Sequence, residues 1–349
     1  MKIDPLLRAL ADPTRLRIMR LLAHMELAVG ELAQVLGQSQ PRVSRHIRIL
    51  CDAGLAERRK EGSWVFLRSA IGESRAPPLG AAAARLLDAA ERDDAAFAGR
   101  CAEDRRHLAA IRAARKASAE AYFARHAAEW DTLRSLHSPD GPVEAALAAA
   151  LGGGSGDRKD RDRKDLGAVL DVGTGTGRIA ELLAPRAQHV TGFDRSPEML
   201  RIARARLQRF PAEQVSLVQG DFTALPFADA SFDTVLFHQV LHYAQEPEGV
   251  LAEAARITRA GGRIAVVDFA AHDREELRER HAHARLGFSD EQMLALLSDA
   301  GFAPAPSIAL PGTPLTVKIW TARKEASRAA PASTATATIH PERGKAAGR

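Results

Sequence analysis

Three glycines two residues apart, Gly173, Gly175 and Gly177, follow an apolar run in the segment Ala168-Val-Leu-Asp-Val-Gly-Thr-Gly-Thr-Gly-Arg178. Glycine has no side chain to hold a ligand away, and it reaches backbone conformations closed to other residues. A strand that ends in such a turn and opens a helix can set its backbone against a nucleotide-like cofactor. A tight strand–helix turn with no ligand would use the same glycines, so the acids around them carry the argument. Gln188–Phe193 reads as a second strand ending at Asp194, where a carboxylate about 20 residues past the glycines can bind ribose hydroxyls. Val215–Gly220 reads as a third strand, followed by Asp221 and Phe222. Phe232–Phe237 and Arg263–Asp268 supply two more buried strands with a helical stretch between them. Strands alternating with helices predict an α/β Rossmann-like doubly wound sheet. The dinucleotide fingerprint G-x-G-x-x-G does not fit, because Arg178 stands where its last glycine would be.

The pattern D-x-G-x-G-x-G at Asp171–Gly177 resembles motif I of the class I S-adenosylmethionine-dependent methyltransferases. The resemblance implies S-adenosyl-L-methionine as cofactor. It assigns Asp171, Gly173, Gly175 and Gly177 to the methionine and ribose part, Asp194 to the ribose, and Asp221 and Phe222 to adenine. Met199, in Ser196-Pro-Glu-Met-Leu200, would pack on the adenine face. A small-molecule methyl acceptor would lie beyond the fourth strand, near His238, His242 and Tyr243, with His238 assigned to cofactor and acceptor alike. His281 and His283, in His281-Ala-His-Ala-Arg-Leu-Gly-Phe288, are further catalytic candidates. Histidine suits general-base work near neutral pH, which is needed only if the acceptor must lose a proton. Surface or structural roles fit the same histidines. A metal site is not expected, because the remaining ligands and the groups that would orient them are unidentified.

The stretch Gly220–Asp233 resembles the ubiquinone/menaquinone methyltransferases, and Ala119–Trp130 resembles their N-terminal helix. In that helix Tyr122, Phe123 and Trp130 would help close the cofactor site or simply pack in the core. His238-Gln-Val-Leu-His-Tyr243 departs from that family's signature, and Ala260 replaces the usual proline in the turn Thr258–Gly262 before the fifth strand. Arsenite methylation is not expected, because it needs several thiolates and this region has no cysteine. DNA-base methylation is not expected either, since its Asn/Asp-Pro-Pro-Tyr signature is absent after the fourth strand.

Residues 1–75 read differently. Thirteen basic side chains face eight acidic ones, an excess equal to the net charge of +5 for the whole 349-residue chain. A basic segment of this size suggests nucleic acid. Asp12 and Pro13 start a helix carrying Leu16, Met19 and Leu22 on one face. A second helix covers Gly30–Leu36 and stops at Gly37; a third runs from Gln40 to Ala53. Leu55–Arg59 and Trp64–Arg68 read as a hairpin joined through Lys60–Ser63. This is a winged helix-turn-helix. Gln40, Arg42, Ser44, Arg45 and Arg48 lie along the outer side of the third helix, where they can reach base edges and phosphates. Arg58, Arg59 and Lys60 of the wing would hold backbone phosphates. A solvated arginine face on a protein-interaction domain is the competing reading.

Residues 6–68 resemble the ArsR/SmtB family of regulators, through Leu10–Ile18, Val29–Ala33 and Ser39–His46. The resemblance implies a homodimer on double-stranded operator DNA. The metal-binding cysteines of the sensing members fall in the segment matching Glu26–Gly30, where this chain has Ala28 and Gly30. Without thiolates, soft-metal sensing has no ligands there.

The expected division is a DNA-binding domain over 1–75, a helical connector over 76–116 and a methyltransferase domain over 117–325. A flexible linker at 152–167 interrupts the last, and a disordered basic tail at 326–349 follows it. Only Cys51 and Cys101 are present, which fits a reducing cytoplasm, and no apolar run approaches the ~20 residues of a membrane span. Two functions follow. One is a transcriptional regulator with an active small-molecule methyltransferase; the other is a repressor whose methyltransferase-like domain only senses S-adenosylmethionine or its demethylated product.

Overall fold

The computed structural model describes residues 1–23, 25–61, 64–71, 77–135, 140–152 and 164–325. The tail at 326–349 and most of the linker at 152–167 lie outside the described residues.

The N-terminal unit consists of α1 (Ile3–Leu10), α2 (Pro13–Leu22), β1 (Leu27–Ala28), α3 (Val29–Leu36), α4 (Gln40–Asp52), β2 (Ala56–Glu61) and β3 (Trp64–Ser69). Asp12 caps α2 by accepting the Arg15 N–H at 3.0 Å. Gly37 ends α3 in the left-handed conformation, φ 62°. The strands form a sheet of order β1-β3-β2. Leu6, Ile18, Met19, Leu32, Val43, Ile47 and Leu67 share one core. The sequence reading missed α1 and β1; both are short, and α1 is held by burial of Leu6, Ala9 and Leu10.

Two further helices, α5 (Pro78–Asp93) and α6 (Ala95–His126), follow. Leu87 and Leu108 join the same apolar core. Arg17 binds the almost fully buried Asp104, and Arg20 binds Glu91. At 1.5 Å per residue the 32-residue α6 spans about 48 Å, so it reaches from the first unit to the second. The domain boundary expected at 116/117 therefore falls inside one unbroken helix.

The second unit contains α7 (Trp130–Ser135), α8 (Asp140–Leu151), β4 (Ala168–Val172), α9 (Arg178–Leu183), β5 (His189–Asp194), α10 (Pro197–Leu207), β6 (Val215–Gln219) and β7 (Phe232–His238). It continues with α11 (Pro247–Ile257), β8 (Thr258–Phe269), α12 (Glu276–His281), α13 (Asp290–Asp299), β9 (Phe302–Pro304), β10 (Ile308–Leu310) and β11 (Val317–Lys324). The eight-stranded sheet has the order β10-β11-β8-β7-β4-β5-β6, with β9 on β11. Strands β4 to β8 are parallel to their neighbours, and β11 is antiparallel to β8. The chain winds outward from β4 both ways, so a crevice opens at the carboxyl ends of β4 and β7. Apolar cores cover both faces, Val169, Val190 and Val267 on one and Val172, Phe237 and Val266 on the other. Thr258–Gly262 is not a turn ahead of β8 but its irregular start, where the pairing slips between Phe232↔Thr258 and Thr234↔Arg263. Strands β9 to β11 were not foreseen; β11 takes its place by pairing with β8 far back in the chain.

Candidate active site

Gly173, Gly175 and Gly177 all adopt positive φ, at 71°, 55° and 80°. A Cβ on Gly173 would run into the Val240 side chain, whereas one on Gly175 would meet only the Trp130 indole, 3.7 Å away. The turn is pinned from beside. The N–H groups of Gly173 and Thr174 donate to the Phe193 carbonyl at 2.7 and 3.0 Å. Asp194 accepts the Gly175 N–H on one oxygen and the Ser196 N–H on the other, both at 2.8 Å. Asp171, at 1% exposure, accepts the Thr174 hydroxyl on Oδ2 at 2.7 Å, and its Oδ1 has no partner. Burial pushes its carboxyl up to about 6.

All of these but Gly177 line a cavity of about 1400 Å³; Gly177, expected among the cofactor residues, instead packs closely on Ala203 and Leu207 of α10. Met199, Phe222, Asp221 and His238 lie on its walls, as do Phe123, Trp130 and Tyr243. Phe123 packs edge-on against both Trp130 and Tyr243, at 5.3 and 4.9 Å between ring centroids. Asp221 is strongly engaged: it accepts the Thr223 N–H and hydroxyl at 2.9 and 2.8 Å and pairs with Lys116. Burial works against its charge, but these partners outweigh it and hold the carboxyl at about 2. His238 ends β7 with Arg134 3.5 Å from its Nδ1 and no partner on its Nε2. Next to it Gln239 sits buried at φ 52°, its Oε1 unpartnered. Strain of this kind in a residue with a side chain gathers at functional sites.

The four histidines separate. Burial, reinforced by the Arg134 charge, pushes His238 down to about 3, so it stands neutral at neutral pH. His242 is not on the cavity. Its Nδ1 lies 2.7 Å from Asp268, its backbone N–H binds the same carboxylate, and its carbonyl accepts the N–H groups of Ala284 and Arg285. These bonds fasten the chain after β7 to β8 and to the 284–285 segment, and leave its Nε2 buried without a hydrogen-bond partner. His281 bonds to the Tyr122 hydroxyl at 2.8 Å, away from the main cavity. His283 reaches the cavity wall but lies over His242, with ring centroids 4.1 Å apart. Among the described residues no group of three His, Cys, Asp or Glu side chains is placed to hold a metal.

On the first unit, Gln40, Arg42, Ser44, Arg45 and Arg48 are exposed along α4, opposite the buried Val43, Ile47 and Leu50. Arg58 and Lys60 are exposed on β2. Arg59 is not available to phosphate in the same way. Successive strand residues face opposite sides, so it turns inward, paired to Glu26 at 2.8 Å and lying 4.9 Å from the Phe66 ring centroid. The cavity also has walls that the sequence reading missed, namely Arg134, Lys116 and the wing residues Trp64 and Phe66. The period-two pattern of β3 was the available signal for the last two.

Comparison with known proteins agrees in two places. Residues 12–58 match the bacterial regulatory protein arsR family, and residues 170–266 match the methyltransferase domain family. The chain is 45% identical over 101 residues to demethylmenaquinone methyltransferase of Tropheryma whipplei, covering 29% of this chain and 41% of that one. It is 41% identical over 112 residues to phosphatidylethanolamine N-methyltransferase of Cereibacter sphaeroides, covering 32% and 55%. It thus spans about half or less of these relatives' lengths. A solved phosphoethanolamine N-methyltransferase 2 of Haemonchus contortus, in complex with S-adenosyl-L-methionine, aligns with a TM-score of 0.45 at 16% identity, over 54% of either chain.

Proposed function

We propose that this chain, an ArsR-family helix-turn-helix joined to a methyltransferase domain, binds DNA and transfers a methyl group from S-adenosyl-L-methionine to a small molecule. The observation that carries the second half is the Asp171 carboxylate beside the glycine turn. Its Oδ1 is buried and unpartnered, and a buried polar atom of this kind costs stability unless a ligand satisfies it. An α-ammonium group fits Asp171 Oδ1 and Gln239 Oε1. The Arg134 guanidinium beside Nδ1 of His238 favours the tautomer with its proton on Nε2, a donor for a carboxylate. The bare Gly175 backbone faces the cavity beside the Trp130 indole, where a ribose can approach. Together these residues suit the amino-acid and nucleoside parts of the cofactor.

Bound there, the cofactor supplies a methyl group on a positively charged sulfonium. The residues of this chain hold and orient. Near-attack geometry supplies much of the acceleration in such a displacement, and Phe123, Trp130 and Tyr243 form an apolar wall of the cavity. His238 stands neutral there, held down by burial, which suits an acceptor that arrives already nucleophilic. Seven of the chain's seventeen aromatic residues line the cavity, which supports a planar acceptor over an aliphatic one.

The exposed α4 face supports operator binding. Ile3 and Leu7 on α1 and Leu79 and Leu86 on α5 are exposed; apolar faces of this kind support a homodimer. Among the described residues no helix is long and apolar enough to cross a membrane, and two free thiols fit the cytoplasm. The test supplies the protein with tritiated S-adenosylmethionine and a small-molecule extract as acceptor pool, and separately with duplex DNA from upstream of its own gene. Label in the extract and salt-sensitive DNA binding are expected. Binding of S-adenosylmethionine with no transfer would contradict the enzymatic reading.

A further inference from the structure

The cavity extends past the glycine turn to the DNA-binding unit. Along β3 the side chains alternate. Leu67 enters the winged-helix core, while Trp64 and Phe66 face the other way, their rings 6.0 Å apart. Phe66 is only 4% exposed, yet it belongs to none of the three apolar cores. Guanidinium groups cover it, Arg285 at 4.5 Å and Arg59 at 4.9 Å. Trp64 has Arg278 at 4.3 Å and Arg115 at 5.7 Å. Two of these arginines come from the methyltransferase unit and one from α6. Trp64, Phe66, Arg112 and Arg115 line the same cavity as Asp171 and Gly175.

We infer that the wing of the DNA-binding unit is the far wall of the acceptor end of this cavity, and that Trp64 there selects a planar aromatic ligand bearing an acidic group. The inference rests on the methyltransferase reading. The volume supports it: one small ligand takes roughly 300–1,000 Å³, so about 1400 Å³ holds a nucleoside-sized cofactor and a second molecule. The ring faces support the ligand class. Four guanidinium groups, of Arg112, Arg115, Arg278 and Arg285, face three carboxylates, of Glu26, Glu31 and Glu246, on the cavity wall around the wing, so the charge there favours an acidic ligand over a cationic one. A flat ring on Trp64 takes the place of Arg278 or Arg115, and its acidic group competes with Glu31 for Arg115 or with Glu246 for Arg112. The strand pair that carries Trp64 also carries Arg58 and Lys60, so a ligand wedged there bears on the strands proposed to hold DNA. Occupancy and DNA affinity are then reciprocally linked.

The test uses the full chain saturated with S-adenosylhomocysteine and a defined probe, 8-anilinonaphthalene-1-sulfonate, titrated by fluorescence. The wild type is expected to bind the probe, and Trp64→Ala to weaken it about tenfold, the scale of losing one ring stack and its buried area. Trp64→Leu keeps apolar bulk without the flat ring and is expected to lose similar affinity; Trp64→Phe retains most of it. S-adenosylhomocysteine affinity, measured on each variant, stays unchanged and shows that each is folded. Probe binding indifferent to Trp64→Ala and Trp64→Leu, or no probe bound by wild type that holds S-adenosylhomocysteine, overturns the inference. Wild type that binds no S-adenosylhomocysteine overturns the methyltransferase reading beneath it.

Discussion

Arg285 donates a 2.9 Å hydrogen bond to Glu26 across 259 residues of sequence, closing the eight-stranded-sheet unit on the winged-helix unit. Arg285 is 1% exposed and also donates to the Gln245 carbonyl, in the loop that follows β7. One side chain thus ties the wing's base to the loop bordering the candidate acceptor site.

Arg285→Ala leaves Glu26 its 2.8 Å pairing with Arg59 but removes one charged hydrogen bond, so it is expected to destabilise the folded chain by about 1.5–3 kcal/mol, read by chemical denaturation. Burial works to raise the Glu26 carboxyl, but Arg59 and Arg285 outweigh it and hold it below its ordinary value. A lowered carboxyl contributes stability above its unfolded pKa and loses it as pH falls through the folded one. The stability gap between wild type and Glu26→Gln should close below about pH 4, near the ordinary carboxylate value.

Asp171 has the opposite sign. With its carboxyl near 6, its burial disfavours the folded state once pH rises through that value, and stability recovers below it. An ammonium ligand needs the ionised form. Affinity for S-adenosylhomocysteine should therefore rise from pH 5 to a plateau by about pH 7, approaching tenfold per unit on the acid side. Asp171→Asn should bind weakly with no such slope. A wild-type affinity independent of pH over this range would rule out the proposed contact.

Gly173→Ala should be damaging twice over. The residue sits at φ 71°, and the new methyl would strike Val240. A loss of about 1–3 kcal/mol in stability is expected, together with loss of cofactor binding. A variant that melts like wild type and binds normally would show that the turn is not constrained as described.

On DNA, Arg45→Ala and Arg59→Ala should part company. Arg45 is exposed on α4, whereas Arg59 is folded against Glu26 and Phe66. Anisotropy titrations over a salt series should show the first variant losing affinity, with a salt slope reduced by about one if its contact is to phosphate. The second should keep the wild-type slope and instead lose stability.

The parallel strands and the glycine–acid pattern were legible because each is local: an apolar run, a glycine turn, an acid at the strand's end. The inward turn of Arg59 was missed, because Arg58, Arg59 and Lys60 read as one basic patch; with β2 running on to Glu61 the three must alternate. What the sequence hides is distant pairing. Nothing near His242 announces Asp268, which holds its Nδ1 and its backbone N–H. Nothing near Trp64 announces Arg278. The basicity of His238 is equally hidden, because it depends on burial at the end of β7 and on Arg134 from α7. The short α1 lacks an N-cap hydrogen bond from a side chain and depends on tertiary burial.

The central claim is that the glycine turn and Asp171 hold an adenosylated amino-acid cofactor. Isothermal titration of the full chain with S-adenosylhomocysteine at pH 7.5 tests it directly. Saturable binding at one molecule per chain is expected, weakened about tenfold or more in Asp171→Asn, the scale of a charged hydrogen bond. A folded wild type that takes up no S-adenosylhomocysteine, or an Asp171→Asn variant that binds it as tightly, would rule out this cofactor site.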